Sequence, residues 1–322
     1  MSNSSKLKYN LIGKKVFVAG HTGMVGSALI RKLKKVNCEC LTVSSHELDL
    51  CNIEAVDKWF ERYKPDTVFM AAAKVGGIYA NDTYPVEFLY ENLTIQNSII
   101  SSAYKHNIKK LMFLGSSCIY PKNARQPLKE SSLLTGSLER TNESYAIAKI
   151  AGIKLCQAYR KQYKLDFISV MPTNLYGIGD NFHPKNSHVV AALIAKFYKA
   201  VKEGHKEVVL WGTGKPCRDF LNVDDLADGL VFIMENYSNE EPINIGSAQE
   251  ISIKEFAAII KNISGWRGKI IFDNKFPDGM PRKVMDLSKI NKLGWKHSIN
   301  LNEGLASAYK WYSDNYNNVR RV

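Results

Sequence analysis

Residues 15–26 read KVFVAGHTGMVG, an apolar, β-branched run that leads directly into three glycines. The glycines stand at positions 20, 23 and 26, and an amphipathic stretch, SALIRKLKKV at 27–36, follows them. This order predicts a strand, a tight glycine turn and a helix. Such a unit is typical of the start of a doubly wound α/β sheet that holds a dinucleotide at its first strand–helix junction.

Strands and helices alternate along the rest of the first half of the chain. Further strands are predicted over 39–43, 67–72, 110–116 and 166–171, and helices over 53–63, 86–106 and 143–163. Regular alternation implies right-handed crossovers and a parallel sheet. The sequence therefore predicts a Rossmann-type doubly wound parallel sheet, whose ligands bind beyond the carboxyl ends of the strands.

The regularity loosens after Pro172. We predict a loop over 173–187 and another at CRDFLNVDD (217–225). The other predicted elements are helices over 188–203, from Asp224, over 252–264 and over 302–316, and strands over 207–211, 243–245 and 269–273. We therefore expect residues 1–172 to form the cofactor-binding domain, and residues 173–322 to form mainly a smaller α/β substrate lobe with some segments returning to the first core.

The composition is that of an ordinary globular protein. Of the 322 residues, 45% are hydrophobic and 23% are charged, and no apolar run approaches the ~20 residues that span a bilayer. The stretch MSNSSKLKYNLIGKK at 1–15 has no apolar core of a secretory signal. The six cysteines are scattered without CxxC spacing, so we expect no metal site and a reduced, cytoplasmic protein.

The formal net charge is +13, with lysines spread along the chain and no dense basic block. A nucleic-acid binder usually concentrates such charge on one face, so we expect no nucleic-acid partner. Two interpretations remain open. The charge is either diffuse surface charge or a field that guides a small phosphorylated ligand.

The glycine turn has the composition of a pyrophosphate site. Gly20, Gly23 and Gly26 let the backbone approach the phosphates, Thr22, Met24 and Val25 complete the turn, and the helix N-terminus supplies free N–H groups. The end of the second strand has Ser44 and Ser45, with no acidic residue at the spot expected to bind a free ribose hydroxyl. We therefore predict NADP(H) rather than NAD.

Tyr145 and Lys149 are four residues apart and lie on one helical face. A nearby ammonium is expected to lower the pKa of the phenol, which then exchanges a proton with an alcohol or ketone oxygen. A solvated pair is the ordinary alternative at this spacing. Because the glycine turn lies upstream and Ser116 ends the strand over 110–116, the combination indicates the Ser, Tyr, Lys set of a short-chain dehydrogenase/reductase.

Several longer stretches carry a more specific resemblance. They are AAAKVGGIYAN (71–81), FLGSSCIYPK (113–122), YAIAKIAGIKL (145–155), MPTNLYG (171–177), DNFHPKNSHV (180–189), RDFLNVDD (218–225) and PDGMPRK (277–283). In these stretches the chain resembles the GDP-L-fucose synthases, a branch of the extended short-chain dehydrogenase/reductase family. The resemblance implies NADPH-dependent 4-reduction with 3,5-epimerisation of a GDP-4-keto-6-deoxy sugar, and a homodimer.

The resemblance further implies that Cys118 and His188 form a proton-transfer pair and that Tyr145 protonates the C4 oxygen. The chemistry agrees, because a C4 ketone acidifies the C3 and C5 protons and inversion needs a group on each face of the sugar. Position alone favours the other interpretation, in which Cys118 is a small buried hydrophobe. Spacing alone also does not choose between His183 and His188; the family's NSHV pattern selects His188.

The remaining binding residues are implied by the same resemblance. In addition to the glycine turn and the two serines, the cofactor is expected to contact Leu114, Gly115, Ser116, Tyr145, Lys149, Pro172, Asn174, Leu175 and His188. The nucleotide sugar is expected to contact Lys196, Trp211, Arg218 and Asp278, with Arg282 as a further candidate. The chain departs from some members in reading HTG at 21–23, where they carry an arginine, and in lacking arginines after the second strand.

Two other functions are compatible with the sequence. One is a C4 reductase of a related GDP-4-keto sugar, such as a 6-deoxy-heptose, with little or no epimerisation. The other, from a different class, is a non-catalytic NADP-sensing protein on the same fold. The presence of both Tyr145 and Lys149 argues against the sensor.

Overall fold

The computed structural model describes residues 9–184, 186–275 and 278–321, so Lys185 and Pro277 of the quoted stretches lie outside the described residues. In its first part the chain forms β1 (Lys15–Ala19), α1 (Met24–Leu33), β2 (Glu39–Leu41), α2 (Ile53–Tyr63), β3 (Thr67–Met70), α3 (Ile78–Thr83), α4 (Pro85–Lys105), β4 (Lys110–Leu114), α5 (Glu143–Tyr163) and β5 (Asp166–Pro172). The predicted alternation of strands and helices is confirmed.

The second part contains more short strands than its sequence suggests. It forms β6 (Asn174–Tyr176), α6 (Val189–Lys202), β7 (Glu207–Trp211), β8 (Cys217–Asn222), α7 (Val223–Asn236), β9 (Ile243–Ile245), β10 (Glu250–Ser252), α8 (Ile253–Ser264), β11 (Lys269–Asp273), β12 (Arg282–Lys283), α9 (Ser288–Leu293) and α10 (Leu301–Asp314). Local signals set several boundaries. The Ser252 and Glu255 side chains form a capping box that starts α8, and Gly265, at φ +71°, ends it.

One parallel sheet dominates the fold. Its six strands lie in the order β2-β1-β3-β4-β5-β9, and every neighbouring pair is parallel. The order reverses between β1 and β3, which makes the carboxyl ends of these two strands the topological switch point where ligands bind. The predicted Rossmann-type doubly wound parallel sheet is therefore confirmed.

The prediction of a loop at CRDFLNVDD is wrong, because residues 217–222 form β8. This strand pairs with β10 antiparallel and with β6 and β12 in parallel. The strand is largely buried although its sequence contains polar residues. Asp219 is fully buried, and its Oδ1 accepts hydrogen bonds from the Ser247 N–H (3.1 Å) and hydroxyl (2.6 Å). Residues 174–176 of the other predicted loop likewise form β6.

Two clusters of buried apolar side chains hold the chain together. The larger lies on the six-stranded sheet and includes Phe17, Phe113 and Ile153, but also Ile245 and Met285 from the second half of the chain. β9 reaches this sheet by pairing with β5, with Val170 opposite Ile243. The smaller cluster lies between α6, α8 and α10 and includes Phe197, Phe256 and Tyr312. The second half of the chain thus contributes to both cores.

Two further observations concern membrane-spanning helices and disulfide bonds. Among the helices in the described part of the chain, none combines the length and the apolar character that crossing a membrane requires. All six cysteines are free thiols.

Candidate active site

The glycine turn after β1 is closed so tightly that side chains do not fit. Gly20 adopts φ +82°, and a Cβ there would lie 2.7 Å from the backbone of Ala72. A Cβ on Gly26 would lie 2.1 Å from the Gly20 carbonyl oxygen. Gly23 is the N-cap residue of α1, so the first N–H groups of that helix point out of the turn. The turn therefore fits the phosphates of a dinucleotide.

A second glycine segment lies across the start of α1. Gly179, at φ +85°, approaches so closely that a Cβ on it would lie 3.4 Å from the Ser27 hydroxyl and 3.8 Å from the Met24 Cα. The segment that follows β6 therefore bounds one side of the turn, and we refer to the surface between this segment and the glycine turn as the groove.

The end of β2 places Ser44 and Ser45 next to an acidic residue that the sequence reasoning missed. The Glu47 carboxylate accepts hydrogen bonds from the Ser44 N–H (3.0 Å) and hydroxyl (2.7 Å). These bonds, assisted by the charge of His21, lower the pKa of Glu47. The sequence signal that could have identified Glu47 is its position three residues after a serine. Ser45 is exposed and carries the same kind of hydroxyl.

Ser116, Cys118 and Tyr145 meet at the carboxyl end of β4. A short turn over Ser117–Ile119 begins with Ser116 as its N-cap, and the Cys118 Sγ lies 3.2 Å from the Ser116 Oγ. The Ser116 hydroxyl also acts on the Tyr145 phenol, whose pKa it lowers. Burial nevertheless raises the pKa of Tyr145, and the nearby Cys118 thiolate raises it further. The lowering of this pKa that we expected from the Tyr–Lys spacing is not what the structure favours.

Lys149 lies beneath this group and is almost fully buried. Its Nζ donates a hydrogen bond to the Leu114 carbonyl oxygen at 2.8 Å and lies 5.7 Å from the centre of the Tyr145 ring. Burial lowers the pKa of Lys149 to about 8, and the Cys118 thiolate partly opposes that shift. The strand end that supplies Leu114 and Gly115 thus also fixes the lysine.

Cys118 is half-buried, and its environment pulls in both directions. Burial raises the pKa of the thiol above its ordinary value, although the charge of Lys283, the Ser116 hydroxyl and the charge of Lys149 oppose the shift. Lys283 was missed by the sequence reasoning, although it closes the quoted stretch PDGMPRK. It lies on β12, and burial lowers its own pKa to about 8 against the opposing charge of Cys118.

His188 is the N-cap residue of α6 and faces the same lysine. His188 is exposed by surface area, but the protein around its ring still desolvates it. This desolvation, together with the charge of Lys283, lowers the pKa of His188. Gly77 helps to fix this loop: its N–H bonds the Asn186 carbonyl at 2.8 Å, and a Cβ on it would lie 2.5 Å from the Ser187 oxygen. His183 has a different task, since its Nδ1 accepts the Asn186 N–H.

The residues at the end of β5 and in β6 lie between the six-stranded sheet and the sheet that contains β8. Pro172 ends β5 opposite Ile245, and the Asn174 side chain donates to the Asp219 carbonyl oxygen at 2.9 Å. Gly115 bonds the Val170 carbonyl through its N–H at 2.9 Å, and a Cβ on it would meet the Met171 sulfur at 2.4 Å. Leu175 lies half-buried in β6.

Four of the five predicted substrate residues lie in one region, in two pairs. The Lys196 Nζ bonds the Val209 carbonyl oxygen (2.9 Å) and lies 5.7 Å from the ring of Trp211, which is 60% exposed at the end of β7. Asp278 accepts hydrogen bonds from the Thr213 N–H and hydroxyl, and its charge reaches Arg218. The Arg218 guanidinium bonds the Met280 carbonyl oxygen at 2.6 Å. An exposed indole beside an exposed lysine and a half-buried arginine suits a nucleoside diphosphate.

Arg282 is not brought to this group. Its guanidinium forms a two-bonded ion pair with the Glu250 carboxylate, both contacts at 2.7 Å, on the solvent side of β12. Successive side chains of a strand point to opposite faces, so Lys283 takes the inward side.

Within the described ranges, no group of three or more His, Cys, Asp or Glu side chains is placed to hold a metal ion.

Comparison with known proteins identifies relatives along almost the whole chain. Residues 16–246 match the NAD dependent epimerase/dehydratase family. The chain is 57% identical over 302 residues to GDP-L-fucose synthase 1 of Arabidopsis thaliana, covering 94% of each sequence. Among solved structures, it resembles a GDP-L-fucose synthetase from Naegleria fowleri bound to NADP, with a TM-score of 0.91, 30% identity, and coverage of 98% of this chain and 99% of that one. A GDP-6-OMe-4-keto-L-xylo-heptose reductase from C. jejuni gives a TM-score of 0.90 and 38% identity, with coverage of 96% and 99%.

Proposed function

The chain belongs to the NAD dependent epimerase/dehydratase family, in its GDP-L-fucose synthase branch, and on that premise we propose how its residues carry out the reaction. It is an NADP(H)-dependent enzyme that epimerises a GDP-4-keto-6-deoxy sugar at C3 and C5 and reduces it at C4 to a GDP-L-fucose product. The observation that carries the proposal is the cluster of Ser116, Cys118 and Tyr145 at the end of β4, with Lys149 beneath it.

The cofactor is NADP(H), and when bound it supplies the hydride for C4. The turn of Gly20, Gly23 and Gly26, with Thr22, Met24 and Val25, would hold its pyrophosphate. Ser44 and Ser45 face the adenosine end. The nicotinamide end is seated by Leu114, Gly115, Pro172, Asn174, Leu175 and His188, at the carboxyl ends of β4 and β5.

Reduction depends on a proton donor beside the C4 oxygen. Tyr145 fills this role because its raised pKa keeps the phenol protonated at neutral pH. Ser116, whose hydroxyl lowers the pKa of the phenol, orients the carbonyl. Lys149, held by the Leu114 carbonyl oxygen, supplies positive charge to the site.

Epimerisation needs one group to remove the proton at C3 or C5 and another to return it on the opposite face. Cys118 and His188 fill these two roles. Lys283 acts on both members of the pair, because its charge favours the thiolate of Cys118 and disfavours the imidazolium of His188. The transfer needs one proton between the two side chains, with the Cys118 thiolate as the base and the His188 imidazolium as the acid that returns the proton on the opposite face.

The GDP moiety binds in the lobe formed mainly by residues 173–322. Lys196 and Arg218 suit the diphosphate, Trp211 covers the base or ribose, and Asp278 orients the Thr213 loop beside them. Arg282 has a lesser part, since Glu250 already holds its guanidinium.

A related reductase is the second candidate. The likeness to the C. jejuni heptose reductase, at 38% identity, favours a chain that reduces a GDP-4-keto heptose without epimerising it. The stronger likeness to the Arabidopsis GDP-L-fucose synthase favours the first candidate.

Solvent isotope incorporation separates the two. We would incubate the protein with GDP-4-keto-6-deoxymannose and NADPH in D2O and determine the mass and configuration of the product. Deuterium at C3 and C5 of GDP-L-fucose supports the bifunctional enzyme. Reduction without deuterium at these carbons would overturn it in favour of a simple reductase.

The assembly we propose is a homodimer built on α4 and α5, and the compartment is the cytoplasm. The exposed apolar side chains of Val86, Tyr90 and Ile147 on these helices support the first, and six free thiols support the second. Sedimentation as a monomer at micromolar concentration would contradict the dimer.

A further inference from the structure

Arg320 lies at the cofactor turn, although it follows α10 at the far end of the described chain. Its Nη1 atom is 3.7 Å from the position that a Cβ on Gly23 would occupy. Gly23 is the N-cap of α1, where free N–H groups and the positive end of the helix dipole face the groove. A guanidinium is thus placed beside an anion-binding helix N-terminus.

The backbone around Arg320 is anchored by the fold. The Arg320 carbonyl oxygen accepts a hydrogen bond from the Phe182 N–H at 2.8 Å, and the preceding Val319 is buried in the cluster of α6, α8 and α10. Phe182 itself packs on Tyr312 of α10, with ring centres 4.3 Å apart. The same loop, with Gly179, walls the glycine turn, so this anchoring also sets the distance between Arg320 and the groove.

The turn needs charge from elsewhere. Residues 20–26 contain no lysine or arginine, and His21 is the one titratable side chain among them. A pyrophosphate carries two negative charges, and a guanidinium can donate two parallel hydrogen bonds to phosphate oxygens. Arg320 offers this geometry from outside the turn.

We propose that Arg320 binds the pyrophosphate of the dinucleotide, completing the site formed by the glycine turn and the N-terminus of α1. The proposal rests on the NADP(H) dependence proposed above and adds one residue to it. Arg320 is a binding residue in this role, and its charge also acts on the buried carboxylate of Asp180, whose pKa it lowers against the effect of burial.

A purely structural alternative exists and predicts a different result. Asp180 is 4% exposed, and its Oδ1 accepts the Asn181 N–H at 2.7 Å. If Arg320 served only to offset this buried carboxylate, its removal would change stability but not the intrinsic affinity for the cofactor.

The test compares Arg320→Ala and Arg320→Lys with the wild type, and uses Arg321→Ala as the matched control. Arg321 is the neighbouring arginine, and its guanidinium bonds the Tyr316 carbonyl oxygen. Dissociation constants for NADPH and for NADH would be measured from nicotinamide fluorescence, well below the melting temperature of each variant. We expect Arg320→Ala to weaken both cofactors about tenfold, Arg320→Lys to weaken them less, and Arg321→Ala to leave both within about twofold.

The outcomes are distinct. Equal affinities for Arg320→Ala and the wild type would overturn the proposal, as would a lower melting temperature with unchanged affinity. A loss confined to NADPH would overturn it too, because it would move Arg320 from the pyrophosphate, which both cofactors carry, to the 2′-phosphate. If the wild type bound neither cofactor, the proposed function itself would fail, which separates that failure from the failure of Arg320.

Discussion

The Cys118 Sγ and the Ser116 Oγ lie 3.2 Å apart, and the same Ser116 hydroxyl lowers the pKa of the Tyr145 phenol. The thiol assigned to epimerisation and the phenol assigned to reduction are therefore linked through one serine. Each proton transfer changes the charge next to the other group, because a Cys118 thiolate raises the pKa of Tyr145. The two halves of the reaction can nevertheless be separated by substitution.

Cys118→Ser should lose solvent exchange at C3 and C5 by at least ~10²-fold while retaining most of the reductase activity. A serine hydroxyl stays protonated at neutral pH, so it does not act as the base, whereas Tyr145 and Lys149 are untouched. Exchange would be followed by mass spectrometry of GDP-4-keto-6-deoxymannose in D2O without cofactor, and reduction by oxidation of NADPH. Cys51→Ser, at the half-buried thiol just before α2, is the control and should change neither rate. Persistence of exchange in Cys118→Ser would show that the thiol is not the base.

Tyr145→Phe should show the reverse pattern. Removing the phenolic proton donor should lower the reduction rate by ~10²–10⁴-fold, with exchange at C3 and C5 changed far less. Because burial raises the pKa of Tyr145, the wild-type reduction rate should show no loss of the phenol proton between pH 6 and 9. The same two assays measure both rates. Tyr90→Phe, at a 67% exposed position on α4, is the control. Equal loss of exchange and reduction would contradict the division of roles.

Features set by neighbours along the chain could be predicted from the sequence. The glycine turn is one, because Gly20, Gly23 and Gly26 directly follow an apolar strand and open a helix. The helical face that joins Tyr145 to Lys149 is another, because their spacing alone fixes it. The bounds of α2, β7, β9 and β11 agree with the predictions for the same reason: each has a clear apolar pattern between polar turns.

Features set by distant contacts could not be predicted. The sequence of β8 predicts a loop because it does not show that the buried Asp219 Oδ1 is hydrogen-bonded by Ser247, a residue of another segment. Lys283 has the sequence surroundings of a solvated loop, and its inward direction follows from the pairing of β12 with β8. The predicted lowering of the Tyr145 pKa was wrong. The spacing of Tyr145 and Lys149 indicates a nearby ammonium, but it does not show the loss of solvent around the phenol, which raises the pKa.

Lys283→Met should move the alkaline dependence of epimerisation. The ammonium lowers the pKa of Cys118, so its loss should raise that pKa and shift the thiolate limb of the exchange profile toward higher pH. Exchange at neutral pH should fall accordingly. The profile of C3 and C5 exchange would be measured beside the pH dependence of Cys118 alkylation by iodoacetamide, read from its peptide by mass spectrometry.

The neighbouring arginine provides the control for Lys283. Arg282→Met removes a cation from the same short strand, but one that faces outward and is held by Glu250. We expect its exchange and alkylation profiles to match the wild type. Identical profiles for Lys283→Met and the wild type would remove Lys283 from the proton-transfer site.

Asp180→Asn should make the protein more stable at pH 8 and leave it unchanged near pH 4. Burial raises the pKa of Asp180 to about 7, although the Asn181 N–H and Arg320 oppose the shift. The folded state therefore binds more protons than the unfolded state between about pH 4 and pH 7, and stability falls as pH rises through that window. Each pKa unit corresponds to about 1.4 kcal/mol, and about 1 kcal/mol moves the Tm of a protein of this size by ~2–4 °C. The neutral amide keeps the acceptor for Asn181 and removes the buried charge, so the variant should melt several degrees above the wild type at pH 8.

Melting temperatures from pH 4 to pH 8, without cofactor, would be compared with those of Asp314→Asn, which changes an exposed carboxylate paired with Lys310. A constant difference between Asp180→Asn and the wild type across this range would show that Asp180 does not titrate in it.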